Sequence, residues 1–196
     1  IAFMVVVSNA YNLIDGIDGQ AGTQALSFFC FMFAIFMFVF KDMNTLSVED
    51  NFANTSFWLL VAVAMIGSLL GFLVFNWQPA KIFMGDTGSL MLGGIIGVTA
   101  VLIRKELLIP VLCGVFFAES VSVLLQRGWF RYTKKKYGEG RRIFRMAPLH
   151  HHYQKEGIQA LIKSPAKALP EAKIVTRFWI VGIILAVITV ALLKIR

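Results

Sequence analysis

Cysteine and charged residues are scarce in this chain. It has two cysteines among 196 residues, and charged residues make up 15% of it. Disulfide frameworks and zinc sites need more cysteines at closer spacing. Cys30 and Cys113 each lie within an apolar run, so we interpret both as small core residues. There is no secretory signal pattern and no nucleic-acid-binding motif, so we expect no nucleic-acid partner.

Apolar residues are abundant instead. They make up 58% of the chain, with 18 phenylalanines and a mean hydropathy of +0.73, and a helix needs about 20 such residues to cross a bilayer. Five runs are candidate spans, and residues 1–13 are part of a sixth: 25–40, 57–75, 89–103, 107–125 and 176–193. We predict an all-α, polytopic transmembrane helical bundle of about six spans, forming one integral-membrane domain over 1–196. Because the chain starts inside an apolar run, we expect it to be the C-terminal part of a longer protein.

Basic residues are unevenly distributed along the chain. If each span crosses once, segments near 15–24, 76–88 and 127–175 share one side and, with Arg177 at the edge of the last span, carry 14 basic residues, whereas the other side carries five. Loops rich in lysine and arginine face the cytoplasm. We therefore predict that 127–175 is a cytoplasmic basic loop, and that the acidic loop 41–56 faces outward.

Carboxylates occur in two polar runs beside these spans, although a carboxylate at membrane depth costs about 2.5–3.5 kcal/mol. In the run 9–19, Asn9, Asn12, Asp15 and Asp18 recur every three residues and would form a polar stripe on a helix. The alternative is helix–helix hydrogen bonding by asparagine, with the carboxylates at the water interface. Asp86, in the run 83–89, suits Mg²⁺ shared with substrate phosphate, or it could cap a helix.

Three consecutive histidines, His150, His151 and His152, follow an arginine-rich stretch. Three successive side chains cannot face one point on a helix, so at most two serve one site. Phosphate binding or proton transfer suits this setting better than zinc, and a solvated basic loop is the alternative. Glu119 and Gln126 lie in or at the end of the span 107–125 and could face a cytoplasmic cavity. For Glu119 a structural hydrogen-bonding role fits equally well.

Three motifs occur in order: NAYNLIDGIDG (9–19), FMGDTGS (83–89) and APLHHHY (147–153). Together they resemble the polyprenyl-phosphate N-acetylhexosamine-1-phosphate transferases, over nearly the whole chain. The third motif, preceded by RRIFRM (141–146), is most similar to the branch that makes the first lipid-linked peptidoglycan precursor.

The resemblance implies a ten-helix homodimer in the bacterial inner membrane with a cytoplasmic cleft. Its expected reaction transfers phospho-MurNAc-pentapeptide from UDP-MurNAc-pentapeptide to undecaprenyl phosphate, releases UMP and requires Mg²⁺. By resemblance Asp86 is the metal ligand, and the catalytic residues are Asp15, Asp86, His150, His151 and His152. The predicted substrate-binding residues are Asn9, Asn12, Gly16, Ile17, Asp18, Asn76, Phe83 and Gln126, with Phe83 able to stack on uracil.

The sequence departs from the family in one respect. The family also carries an adjacent aspartate pair and a substrate-binding lysine in its N-terminal half, and no Asp-Asp pair occurs here. We therefore expect the isolated chain to hold about six of ten helices and to be inactive. Residues 157–172 also form a longer loop than the family needs.

Three alternative functions remain open. A sister transferase using UDP-N-acetylglucosamine would run the same reaction, although the uninterrupted triple histidine argues against it. An ion-coupled transporter predicts discontinuous helices in inverted repeats, which the sequence does not show. A structural or assembly subunit predicts that Asp86→Asn leaves function intact.

Overall fold

Long apolar helices dominate the computed structural model, which describes residues 1–38, 48–102 and 109–194. Within these ranges all regular structure is helical, and the helices are α1 (Ala2–Asn12), α2 (Gln20–Phe38), α3 (Val48–Asn76), α4 (Gly85–Leu102), α5 (Ile109–Leu112), α6 (Gly114–Tyr137), α7 (Leu149–Gln154) and α8 (Glu171–Lys194). Four helices are long and apolar enough to cross a membrane, over Gln20–Met37, Ser56–Asn76, Gly85–Leu102 and Glu171–Leu192. The chain is a multi-pass helical membrane protein, as predicted.

The prediction of about six spans is too high for the described residues. Helix α1 has 11 residues, which gives it a length of about 16 Å at 1.5 Å per residue. It ends at Asn12, and residues 13–19 form turns with Gly19 at φ 78°. Glycine and aspartate are poor helix formers, so the predicted helical stripe is wrong at Asp15 and Asp18, which lie in the turns.

The predicted span 107–125 is also wrong in its bounds. Helix α5 ends at Leu112, and α6 begins at Gly114 and continues past Leu125 to Tyr137. The lysines and arginines after Leu125 end the apolar run, but they favour helix. Gly138, in the left-handed conformation, ends α6 by donating its N–H to the carbonyl of Lys134. The predicted loop 127–175 therefore begins as helix and contains α7.

The loop predicted at 41–56 is helical from Val48, where α3 begins. Its residues 41–47 lie outside the described residues, as do 103–108 and 195–196. The assignment of 1–196 to a single domain stays a prediction.

The core forms where α1, α2, α4 and α6 meet. The fully buried Tyr11 donates its hydroxyl to the carbonyl of Ala21, at 2.6 Å, and its ring packs edge-on against Phe116 with centroids 5.4 Å apart. Ile14 and Ile96 are completely buried in the same cluster. These contacts fix the end of α1, and therefore the turn that carries Asp15.

Helix α1 approaches α4 most closely at Gly93. A Cβ at Gly93 would lie 2.7 Å from the Cα of Ser8 and 2.8 Å from the Cβ of Tyr11, so the backbones must separate. We expect Gly93→Ala to destabilise the protein by about 1–3 kcal/mol through overpacking, although alanine favours helix. The measurement is the melting temperature of the detergent-solubilised full-length protein.

The matched control for Gly93→Ala is Gly94→Ala. Gly94 is the next residue of α4, and a Cβ there meets no described atom within 4 Å. This variant should melt at or above the wild-type temperature because alanine is the better helix former. Equal melting temperatures for the two variants would contradict the close approach of α1 and α4.

Candidate active site

Two carboxylates from separate motifs meet between the end of α1 and the start of α4. Asp86, exposed in the first turn of α4, accepts a hydrogen bond at Oδ1 from Asn12 Nδ2, at 3.0 Å. The same amide donates to the Ser89 hydroxyl at 2.8 Å. Asp15, half-buried, accepts a hydrogen bond from the backbone N–H of Gly85. Predicted site residues 71 positions apart are thereby brought together.

The electrostatics of this pair favour a cation. Burial raises the pKa of Asp15, and the negative charge of Asp86 raises it further, while the Gly85 hydrogen bond opposes both effects. In the described part of the chain, neither carboxylate is paired with a lysine or arginine. A divalent ion between them would relieve this repulsion.

The donor set fits Mg²⁺ better than a metal held by protein side chains alone. Among the described residues, no three histidines, cysteines or carboxylates are grouped closely enough to hold a metal ion. Mg²⁺ usually takes one or two carboxylates and completes its shell with waters and substrate phosphate oxygens. Asp86, with Asp15 beside it, offers this partial shell.

His150 lies beside the turn that carries Asp15. It is the second residue of α7 and is 1% exposed, and its backbone N–H donates to Glu119 Oε1 and Oε2, at 3.2 and 3.3 Å. Its Nδ1 lies 3.3 Å from Glu119 Oε1. Neither ring nitrogen makes a hydrogen bond among the described residues, and Nε2 faces Gly16. The chain thus presents an imidazole edge next to Asp15.

The three histidines occupy different environments. The rings of His150 and His151 lie 4.2 Å apart at their centroids, and His151 Nδ1 lies 2.8 Å from Gln154 Oε1. Burial lowers the pKa of His151, against the raising effect of that hydrogen bond. His152 instead accepts the backbone N–H of Arg145 at Nδ1, at 3.0 Å, so its Nε2 carries the proton that it donates to the carbonyl of Ser164.

His152 therefore belongs to a structural arrangement around Arg145. Burial lowers the pKa of His152, and the nearby Arg145 cation acts in the same direction. Arg145 is 6% exposed, and its guanidinium donates to the carbonyls of Lys155, Lys163 and Pro165. These bonds hold the long segment after α7. A catalytic role for His152 stays a prediction, and both of its ring nitrogens bind loop backbone.

Two predicted substrate residues connect the Asp15 turn to the segment after α3. Asp18 Oδ2 accepts the backbone N–H of Ala80 at 2.9 Å. Asn76 Oδ1 accepts the backbone N–H of Gly19 at 3.0 Å, and its amide donates to the carbonyl of Ile82 at 2.8 Å. These bonds place the neighbouring Phe83 at the rim, where its ring is 76% exposed and free to stack.

Three other predicted residues have structural contacts. Asn9 donates to the carbonyl of Val5 in its own helix, at 2.8 Å. Ile17 is buried in a small apolar cluster at the start of α8. Gln126 Oε1 accepts two backbone N–H groups, at 3.0 and 2.9 Å, from Ile143 and Phe144. Their substrate contacts stay predictions, and the structure does not group them with the Asp15–Asp86 pair.

A cavity of about 880 Å³ opens away from this cluster, between segments 139–145 and 156–166. Basic residues of its lining include Arg141, Arg142 and Lys163, and none of the predicted site residues lines it. This cavity is therefore not the candidate active site, which is defined by Asp15, Asp86 and His150.

Sequence reasoning omitted Glu119 from the set of site residues. A carboxylate within an apolar run does indicate a special role, but the sequence does not show that the partner of Glu119 is His150, which is 31 residues away. Gln20 was missed as well: it is fully buried and its amide lies 3.4 Å from Glu119 Oε1. A glutamine beside a polar turn gives no comparable signal.

Comparison with known proteins decides the family. Residues 1–104, which carry both Asp15 and Asp86, match the family described as Glycosyl transferase family 4. The chain belongs to glycosyl transferase family 4. The two runs that suggested a phospho-sugar transferase therefore lie in the region that defines this family, and the predicted resemblance is confirmed.

Several similar members of glycosyl transferase family 4 share one name. The chain is 52% identical to the phospho-N-acetylmuramoyl-pentapeptide-transferase of Parabacteroides distasonis, over 98% of the chain and 47% of that protein. It is 50% identical to the same-named protein of Flavobacterium psychrophilum, over all of the chain and 46% of the relative, and 48% identical to that of Porphyromonas gingivalis, over all of the chain and 48% of the relative. The chain spans about half the length of these curated relatives.

Proposed function

We propose that this chain carries the metal- and phosphate-binding part of a transferase in the bacterial inner membrane. The enzyme moves phospho-MurNAc-pentapeptide from UDP-MurNAc-pentapeptide to undecaprenyl phosphate and releases UMP. The observation that carries the proposal is the approach of Asp15 to Asp86, without a cationic partner and with His150 beside them. The names of the relatives support the muramoyl donor over the N-acetylglucosamine donor.

The proposed chemistry brings two anions together. A phosphate oxygen of the lipid attacks the β-phosphorus of the donor, and the bond between that phosphorus and the bridging oxygen breaks, so the oxygen leaves with UMP. Asp86, supported by Asp15, would hold Mg²⁺, which neutralises the charge of the diphosphate. Asn12 and Ser89 keep the Asp86 side chain oriented, and His150 offers an imidazole nitrogen to the phosphates.

The membrane setting supports this use of the site. Three of the four candidate spans start or end close in sequence to the site residues, at Gln20, Asn76 and Gly85, and the basic loops predict that this end faces the cytoplasm. A nucleotide donor arrives from the cytosol and a lipid acceptor from the bilayer, so they meet at this interface. The homodimer stays a prediction from the resemblance.

The proposal is tested by UMP release from the full-length protein in nanodiscs. We expect release with UDP-MurNAc-pentapeptide and undecaprenyl phosphate, loss after EDTA treatment and recovery with Mg²⁺. UDP-N-acetylglucosamine serves as the second donor. Release from that donor alone would identify the sister transferase, and substrate movement across the membrane without UMP would identify a transporter.

A further inference from the structure

Glu119 is a buried carboxylate to which the proposed reaction assigns no role. It lies on α6 and is 0% exposed, and burying an ionised carboxylate without compensation is very costly. Within the described ranges it forms no ion pair with lysine or arginine. Its described polar contacts are the backbone N–H and Nδ1 of His150 and the amide of Gln20. His150 is its one titratable partner among them.

The contacts on the two edges of the His150 ring are unequal. On the Nδ1 edge lies the Glu119 carboxylate, 3.3 Å away, which is longer than a strong charge-assisted hydrogen bond. Catalytic hydrogen bonds are often long before substrate binds. On the other edge lies Gly16, where a Cβ would be 2.9 Å from Cε1 and closer still to Nε2. Both ring nitrogens are buried and neither makes a hydrogen bond among the described residues; Nδ1 has the Glu119 carboxylate beside it, whereas Nε2 has Gly16.

This arrangement favours one position of the proton on the imidazole. A carboxylate only accepts hydrogen bonds, so in the neutral ring the Glu119 carboxylate stabilises a proton on Nδ1, and Nε2 then keeps its lone pair. A carboxylate that accepts a hydrogen bond from one ring nitrogen fixes the tautomer and the orientation of the whole imidazole ring, as in metal sites and hydrolase triads. The free nitrogen of His150 then points to the turn that carries Asp15.

We propose that Glu119 is a positioning residue that acts through His150: it holds Nδ1–H toward α6 and presents the lone pair of Nε2 beside Asp15, where it accepts the proton of the attacking lipid phosphate. This inference rests on the proposed function, since that function supplies the phosphates. The same carboxylate also accepts the His150 backbone N–H at the start of α7. A test must therefore separate positioning of the ring from capping of the helix.

The substitution Glu119→Gln in the full-length enzyme distinguishes positioning of the His150 ring from capping of α7. The amide oxygen of glutamine can still accept the backbone N–H of His150, so α7 keeps its cap. Its NH₂ group, however, donates to Nδ1 and favours the opposite tautomer, with the proton on Nε2. We expect kcat to fall about 100-fold, KM for the UDP donor to change less than threefold, and the melting temperature to stay within a few degrees of wild type.

The tautomer is read directly by ¹⁵N NMR of histidine-labelled protein in nanodiscs, with the His150 signals assigned from a His150→Gln sample. Wild type should show protonated Nδ1 and unprotonated Nε2, and Glu119→Gln should show the reverse. The matched control is Glu156→Gln, because the Glu156 carboxylate also accepts a backbone N–H, from Ala168, but in an exposed loop. Its kcat and its His150 spectrum should match wild type.

Two results would overturn the inference. The first is wild-type kcat and an unchanged tautomer in Glu119→Gln; the second is an undiminished effect of this substitution on kcat in a His150→Ala background. If Glu119→Gln does not fold, Glu119→Asp decides: its shorter carboxylate should lower kcat about tenfold, and wild-type kcat would overturn the inference. If the wild-type enzyme released UMP from neither donor, the proposed function would fail, while the tautomer measurement would still report on Glu119.

Discussion

Asp86→Asn in the full-length transferase is expected to lower turnover by about 10³-fold or more, while folding and membrane insertion stay close to wild type. The substitution keeps the shape of an exposed side chain at the start of α4 and its contact with Asn12. It removes the negative charge that would bind Mg²⁺, and charge stabilisation of this kind is worth several kcal/mol in a transition state. The measurement is UMP release at saturating donor across a Mg²⁺ titration.

Glu139→Gln is the control for Asp86→Asn, because it neutralises an exposed carboxylate on the same proposed face. It should leave turnover unchanged. Asp86→Cys allows a metal-rescue experiment. This variant should be inactive with Mg²⁺ and partly active with Cd²⁺, which prefers sulfur ligands. Near-normal, Mg²⁺-dependent lipid product from Asp86→Asn would contradict the role of this side chain as a metal ligand.

Gly16→Ala is expected to lower kcat about 100-fold. The added methyl group would lie 2.9 Å from Cε1 of His150 and even closer to Nε2, so the ring must move. Glu119 holds the opposite side of that ring, and displacement of a reacting group by about 1 Å costs on the order of 10²-fold in rate. Overpacking should also lower the free energy of unfolding by about 1–3 kcal/mol. Steady-state kinetics and thermal melting measure the two effects.

Gly71→Ala is the matched control, because a Cβ on Gly71 of α3 meets no described atom within 4 Å. It should keep wild-type kcat. The steric origin is tested in a His150→Ala background, where the ring is absent and Gly16→Ala should cause little further loss. Full activity of Gly16→Ala would show that catalysis does not require the His150 imidazole to lie against Gly16.

Much of the fold is predictable because lipid imposes a simple rule on sequence. Long apolar runs predicted α2, α3, α4 and α8, since only a helix satisfies its own backbone in a bilayer. The same rule failed at the ends of helices. The apolar run ends at Leu125 because the apolar environment ends there. Helix α6 nevertheless continues for three further turns, to Tyr137, because the basic residues that follow favour helix. The break at Cys113 has no sequence signal that we recognise.

The candidate site was predictable in part for a related reason. Carboxylates beside apolar runs are costly, and this drew attention to Asp15 and Asp86, which the structure brings together. The expected helical stripe failed because glycines at 16 and 19 favour turns. The pairing of His150 with Glu119 depends on tertiary packing between α6 and α7. The same holds for Gln126, whose amide is taken up by a backbone segment 17 residues away.

We propose that Asp15, Asp86 and His150 form one pocket that binds a metal-bound diphosphate. A crystal structure of the full-length transferase with Mn²⁺ and a non-reactive UDP donor tests it most directly, because the anomalous signal of manganese locates the metal independently. We expect a manganese peak between the Asp86 carboxylate and the diphosphate, with Asp15 adjacent and His150 Nε2 facing the phosphates. A metal or diphosphate bound away from these three residues would contradict it.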